Sequence, residues 1–188
     1  MQAKEMSWVA FFAALMAVLA QLSIPLPFTP VPLTGQILGV FLAGAILGRK
    51  LGTVAVLVYL LLGAVGLPVF ARGAAGIARF LGPTGGYLWG FLLGVYFLGW
   101  VTDGSSKLSF LRAAGGMFVC LVVVYALGTL QLAYLMKLTL SKALALGVLP
   151  YVPLDLAKMV LAALVSVRVR RALGEAGLLP LPGGRKNP

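Results

Sequence analysis

Between Met6 and Gly48 the chain carries no charged side chain, a run about twice the ~20 residues one helix needs to cross the hydrocarbon of a bilayer. A soluble domain has no place for such a stretch, because its surface must be covered by polar groups. The remainder repeats the pattern in shorter units. Charged residues make up 10% of the 188 and hydrophobic ones 61%, where soluble domains carry about 25% charged. The sequence therefore predicts an all-α, polytopic integral membrane protein.

Prolines divide the first run. Pro25, Pro27, Pro30 and Pro32 remove backbone donors and disfavour helix at the residues before them. A first helix over about Trp8 to Ile24 is thus expected to give way to a second over Thr34 to Gly48. The segment between them, loop 1, holds Phe28, Val31 and Leu33, apolar groups that a loop facing only water does not need. It is expected to fold back onto the protein, where its unpaired backbone is screened from lipid.

Arg49 and Lys50 mark a tight turn into a third helix, Leu51 to Gly66. Loop 3, LPVFARGAAGIARFLGPTGG, then leads to a fourth helix over Gly85 to Val101; a connection of roughly twenty residues without structure of its own usually has a purpose. A polar link, TDGSSKLSFLR, precedes a fifth helix over Ala113 to Met136. Lys137 and Lys142 bracket the turn before a sixth, Pro153 to Val169. The opening residues have the look of a secretion signal, yet the segments after them are equally apolar, so they read as a retained first helix. Six transmembrane helices then fill one domain, residues 1–173, and residues 174–188 are expected to form a disordered cytoplasmic tail.

The net charge is +11, with no histidine. Nucleic-acid binding would gather the basic residues on one face. Here they stand in ones and twos between neutral runs, the pattern of short membrane loops. With both termini inside, the cytoplasmic set is Lys4, Arg49, Lys50, Lys107, Arg112, Arg168, Arg170, Arg171, Arg185 and Lys186, and the outer set is Arg72, Arg79, Lys137 and Lys142. The imbalance supports that orientation by the positive-inside rule. Loop 1, loop 3 and the start of the sixth helix then meet on the outer side, where a binding site is expected.

Asp155 and Lys158 lie three residues apart on one face of the sixth helix. Ionisable groups at membrane depth are costly, and they pair, face a cavity or serve function. A structural ion pair and a polar anchor for a ligand both fit. In the run LGPTGGYLWGF, Leu81 to Phe91, Gly82, Gly85 and Gly86 permit close backbone approach. Thr84 is a candidate cap of the fourth helix, whose first amides can donate to an anion or a carbonyl. Tyr87 and Trp89 offer flat apolar surfaces with one donor each, and Trp89 also fits an interface anchor. The run lacks the glycine-lysine-serine/threonine ending of a nucleotide-binding loop.

Arg72 and Arg79 suit a carboxylate or lipid headgroups, and Thr34 and Gln36 place neutral hydrogen-bonding groups where loop 1 ends. Ala10, Ala13, Ala14, Ala17 and Ala20 form small-residue spacings suited to close helix packing, inside the protein or against another membrane protein. No enzyme constellation is visible. Histidine is absent, Asp155 has no acidic partner, and Ser23, Ser105, Ser106 and Cys120 have no evident base. With Cys120 the single cysteine, neither an internal disulfide nor a cysteine metal cluster is available.

Three segments, PFTPVPLTGQ at 27–36, LGPTGGYLWGF at 81–91 and YVPLDLAKMVLA at 151–162, resemble in order and spacing the BioY family, the biotin-specific substrate-binding S components of energy-coupling factor (ECF) transporters. The resemblance extends to about Arg171. It implies an S-component-like bundle in a prokaryotic cytoplasmic membrane that captures biotin from outside, with a transmembrane coupling protein and two cytosolic ATPases as partners. No cofactor is implied, since biotin is the cargo and the partners hydrolyse ATP. A stand-alone secondary transporter of biotin or a similar small vitamin is the alternative. Carried onto this chain, the pocket is lined by loop 1 from Phe28 through Val31 to Thr34, with Gln36, and by loop 3 with Tyr87, and it includes Asp155 and Lys158. Thr84, Gly85 and Gly86 fall in the signature segment, and the helix 1 alanines match the docking face for the coupling protein. The alanines of FARGAAGIARFLG depart from the glycines expected there, which bears on Arg72 and Arg79 as direct contacts.

Overall fold

The computed structural model describes residues 3–103 and 108–178; Ser105, Ser106, Lys107, Arg185 and Lys186 lie outside the described residues. The elements run α1 (Ala3–Gln21), β1 (Ser23–Ile24), β2 (Leu33–Thr34), α2 (Gln36–Ala64), a 3-10 turn (Ala71–Gly73), α3 (Ala78–Leu81), α4 (Gly85–Thr102), α5 (Phe110–Met136), α6 (Leu140–Gly147) and α7 (Val152–Glu175). By length and apolarity α1, α2, α4 and α5 can each cross a membrane. The pair α6 and α7, bent by 53°, makes a fifth candidate span.

The segment Gln36–Ala64 is no straight rod. Gly48 has φ 74° and ψ −171°, a conformation open to glycine because it has no Cβ, and the chain reverses there. Gln36 Nε2 donates to Tyr59 Oη at 2.6 Å, whereas a straight helix would hold these residues about 34 Å apart. The element is thus a helical hairpin with arms 36–47 and 49–64, and counting the arms separately gives the six-helix bundle expected from the sequence. The arms are only about 18 and 24 Å long, short of the ~30 Å hydrocarbon thickness. Loops 1 and 3 lie at the end where the hairpin opens.

α4 lies between α2 and α5. Glycines at 86, 90 and 94 form its face toward α5. A Cβ at Gly90 would stand 2.7 Å from Val124 Cα, and one at Gly94 2.7 Å from Cys120 Sγ. Only glycine lets the two backbones approach so closely, the close-packed geometry by which membrane helices associate through van der Waals contact.

Several boundaries depart from the sequence reading. α1 stops at Gln21 and not at Ile24, because Ser23 and Ile24 pair with Thr34 and Leu33 as a short antiparallel ribbon, and Gly35 N donates to Leu22 O at 2.9 Å. The two ends of loop 1 are thereby tied, which satisfies donors that the coming prolines prevent from joining a helix. α5 begins three residues early, at Phe110, where Ser109 Oγ accepts from Arg112 N at 3.3 Å, a side-chain N-cap. α6 was not expected; at eight residues it is too short to stand out as a periodic pattern. α7 continues through Gly174 to Glu175, so the helical domain passes residue 173, while residues 179–188 lie outside those described.

Candidate binding site

A cavity of about 520 Å³ opens under loops 1 and 3 at the end where the α2 hairpin opens. Loop 1 contributes Thr29, Val31 and Thr34, and the region of loop 3 contributes Phe70, Arg72, Arg79 and Thr84. From the helices come Gln36, Tyr87, Phe91, Val124, Tyr125 and Asp155, with Tyr151 at the α6–α7 bend. Its size falls in the range of pockets that enclose a drug-sized molecule.

The floor is built around Asp155. Its Oδ1 accepts from Lys158 Nζ and its Oδ2 from Tyr125 Oη, each at 2.8 Å. The ion pair is nearly enclosed, with side-chain exposures of 9% for Asp155 and 15% for Lys158. A carboxylate so placed must be paired and hydrogen-bonded, and both conditions hold. Lys158 Nζ also donates to Thr34 O at 2.7 Å. The pair is therefore an anchor in the floor and a strut under the end of loop 1.

Other hydroxyls and amides fasten the loops from below. Tyr151 Oη donates to Val31 O, which pins the middle of loop 1 to the α6–α7 bend. Tyr87 Oη donates to Gly147 O at 2.8 Å. Gln131 Nε2 donates to Phe80 O and Gly82 O, both at 2.8 Å, and Tyr59 Oη to Val69 O at 3.1 Å. Gln21 Oε1 accepts from Gly73 N at 3.0 Å. Tyr59, Phe70 and Phe80 stack edge-on in sequence, at centroid distances of 5.6 and 5.7 Å. These bonds hold irregular backbone at membrane depth, where it survives only if buried in protein or lining a cavity.

Of the residues singled out in the sequence, Asp155, Tyr87, Thr84, Val31, Thr34, Gln36, Arg72 and Arg79 line the cavity. Arg72 adopts φ 61°, unusual for a residue with a Cβ. Both arginines are exposed, and among the described residues neither guanidinium has an ion-pair partner. Lys158 stands behind Asp155 and not on the wall.

Four expectations are corrected. Phe28 is 56% exposed and lies off the lining, because the loop presents it outward. Gly85 and Gly86 do not line the cavity. They pack instead against the Phe80 and Leu127 carbonyls, so their lack of a Cβ serves helix packing. Thr84 makes no side-chain cap to α4. The Gly85 and Tyr87 amides donate within the turn, to Gly82 O at 2.9 Å and Thr84 O at 3.2 Å, which leaves those amides no free donor for a ligand. On α1, Ala13 and Ala20 are buried within the fold and Ala17 half-buried, so only Ala10 and Ala14 face outward; the five alanines do not form one exposed surface.

Tyr125, Tyr151 and Gln131 were not found in the sequence. The available signal was positional: Gln131 is a rare polar group in the charge-free stretch of α5, and Tyr151 directly precedes the Val-Pro-Leu-Asp run. Among the described residues no group of three histidine, cysteine or carboxylate side chains comes together to hold a metal ion.

A bundle of membrane-capable helices with a cavity under tied loops, and an ion pair at its floor, defines a membrane protein with an internal pocket. Comparison with known proteins narrows the class. The BioY family model matches residues 1–175, and the chain belongs to the BioY family. It is 41% identical over 168 residues to the biotin transporter BioY of Thermotoga maritima, covering 89% of this chain and 96% of that one. It is 42% identical over 170 residues to a probable biotin transporter BioY of Pyrococcus horikoshii, covering 90% and 98%. The fold superposes with a TM-score of 0.82 on a crystal structure of the S-component for biotin from an ECF-type ABC transporter, at 29% identity over 91% of this chain and 95% of that one. The protein is accordingly a multi-pass membrane transport protein and not an enzyme.

Proposed function

We propose that this chain captures biotin and takes it up across the membrane as the substrate-binding S component of an ECF-type transporter. The observation that carries the reading is the loop-covered cavity floored by Asp155 and Tyr125, with Lys158 paired behind Asp155. Biotin joins a hydrogen-bonding ureido ring, an apolar sulfur ring with a short aliphatic chain, and a carboxylate. In the proposed pose the ureido N–H groups donate to Asp155, whose two oxygens are already oriented by Lys158 and Tyr125. Phe91, Val124 and Val31 cover the apolar body. The carboxylate points to the mouth, where Arg72 and Arg79 supply unpaired positive charge.

No covalent step is needed: loops 1 and 3 enclose the vitamin, and partner subunits drive its release. The coupling protein and two cytosolic ATPases would be those partners, docking on the outward face of α1 at Ala10 and Ala14. The membrane is the cytoplasmic one of a prokaryote, with the cavity outside and both termini inside. Equilibrium binding of biotin and of its methyl ester to the purified full chain tests the core of this proposal. Saturable biotin binding with weaker binding of the ester supports it. Absence of saturable binding in folded protein refutes it, and equal affinity removes the arginines from the pose. Vesicles with and without the ATPases separate the ECF mechanism from stand-alone transport.

A further inference from the structure

At the end of the bundle opposite the biotin cavity, a groove of about 390 Å³ runs between the second arm of α2 and α4, lined by Arg49, Lys50, Thr53, Val54 and Tyr96. Its polar groups are only partly engaged. Lys50 is exposed and has no ion-pair partner among the described residues. Thr53 Oγ1 is shielded from solvent and makes no hydrogen bond. Arg49 is shared between Asp103, with Nε 3.8 Å from Oδ2, and the Tyr96 ring, whose centroid lies 5.6 Å from its guanidinium carbon. Arg49 is therefore partly neutralised by Asp103, whereas Lys50 is not.

Beyond the five residues that line the groove, its basic head, exposed leucines on the two helices supply an apolar track. Leu57 and Leu61 follow Lys50 at helical spacings on one face, and Leu93 precedes Tyr96 by three residues on α4; all three leucines are exposed. From Lys50 to Leu61 the helix rises about 16 Å, close to half the ~30 Å hydrocarbon thickness. A small water-soluble anion would use the head and not the track. A second copy of this chain would have to bring negative charge, and it has only four acidic residues.

We propose that this groove binds an anionic phospholipid of the leaflet opposite the cavity, with its phosphate at Lys50 and Arg49 and one acyl chain along Leu57, Leu61 and Leu93. The head-and-track arrangement distinguishes such a site from the diffuse attraction that any juxtamembrane lysine exerts on anionic lipid.

Native mass spectrometry of the purified full chain, titrated with phosphatidylglycerol, phosphatidylcholine or inorganic phosphate, tests the proposal. Phosphatidylglycerol should bind at least about fivefold more tightly than phosphatidylcholine, and Lys50→Gln should remove most of that preference. Lys142→Gln, at the other end, should change nothing. Equal affinity for the two lipids, equal effects of the Lys50 and Lys142 substitutions, or full displacement by millimolar inorganic phosphate would each overturn the site. So would a dimer that excludes lipid from the groove.

Discussion

The two ends of the bundle use nearly the same polar inventory for different purposes. At the cavity end, Asp155 and Tyr125 border a void, with Lys158 behind Asp155. At the other end Arg170 is fully buried and donates from Nη1 to Thr102 O at 2.9 Å. Thr102 Oγ1 in turn donates to Gly44 O at 3.2 Å, and Arg112 donates to Val101 O at 2.6 Å and Asp103 O at 2.9 Å. Neither Arg170 nor Thr102 lines the loop-covered cavity or the groove at Arg49 and Lys50. The cluster's bonds go to backbone at the C-terminal end of α4, where carbonyls lack helical partners, and they fasten α4 to α2, α5 and α7. A buried charge beside empty space is available to a ligand; Arg170 instead ties α7 to α4 through Nη1, while its Nε and Nη2 are buried without a hydrogen-bond partner.

The largest effect should separate these roles. Asp155→Asn is expected to weaken biotin binding on the order of 100-fold, because Lys158 loses its counter-charge and the ureido acceptor loses its formal charge. Arg170→Met is expected to leave the dissociation constant within about twofold while lowering stability by roughly 2 kcal/mol. Calorimetric binding and thermal unfolding on the same preparations check both. Loss of binding in Arg170→Met with unchanged stability would break the comparison.

A smaller effect should come from the loop 1 tie. Tyr151→Phe keeps the ring and removes the bond to Val31 O, so affinity should fall about fivefold, mainly through faster dissociation of biotin in stopped-flow displacement. The smallest belongs to the mouth. Arg72→Gln and Arg79→Gln should each cost about threefold at low salt, and less as ionic strength rises, because both side chains are exposed and screened. An effect that does not depend on salt would place these arginines in direct, desolvated contact.

Much of this asymmetry was legible in the sequence, for reasons that mark its limits. Missing charge from Met6 to Gly48, and the basic pair Arg49–Lys50 that ends the run, disclosed the turn between the two arms of α2. Asp155 and Lys158 stood out because charge at membrane depth is rare. Tyr125 and Tyr151 did not, since tyrosine is also common in the interfacial belt and only geometry shows where its hydroxyl points. Gly85 and Gly86 illustrate the reverse error. A glycine that admits a ligand and one that admits a neighbouring helix have the same sequence signature, and the contacts with Phe80 and Leu127 decide between them. Phe28 was misplaced because an apolar side chain in a loop at the membrane can face lipid as readily as a cavity.

The central claim, that biotin occupies the loop-covered cavity and not the opposite end, can be tested by site-directed alkylation. The only native cysteine, Cys120, is buried, so a new thiol will dominate labelling by a maleimide. Thr29→Cys places that thiol in the cavity lining, and Lys50→Cys places one at the opposite end. Saturating biotin should slow labelling of Thr29→Cys at least about tenfold, in proportion to the fraction of sites filled, and leave Lys50→Cys unchanged. Unprotected Thr29→Cys in protein that still binds biotin would contradict the account.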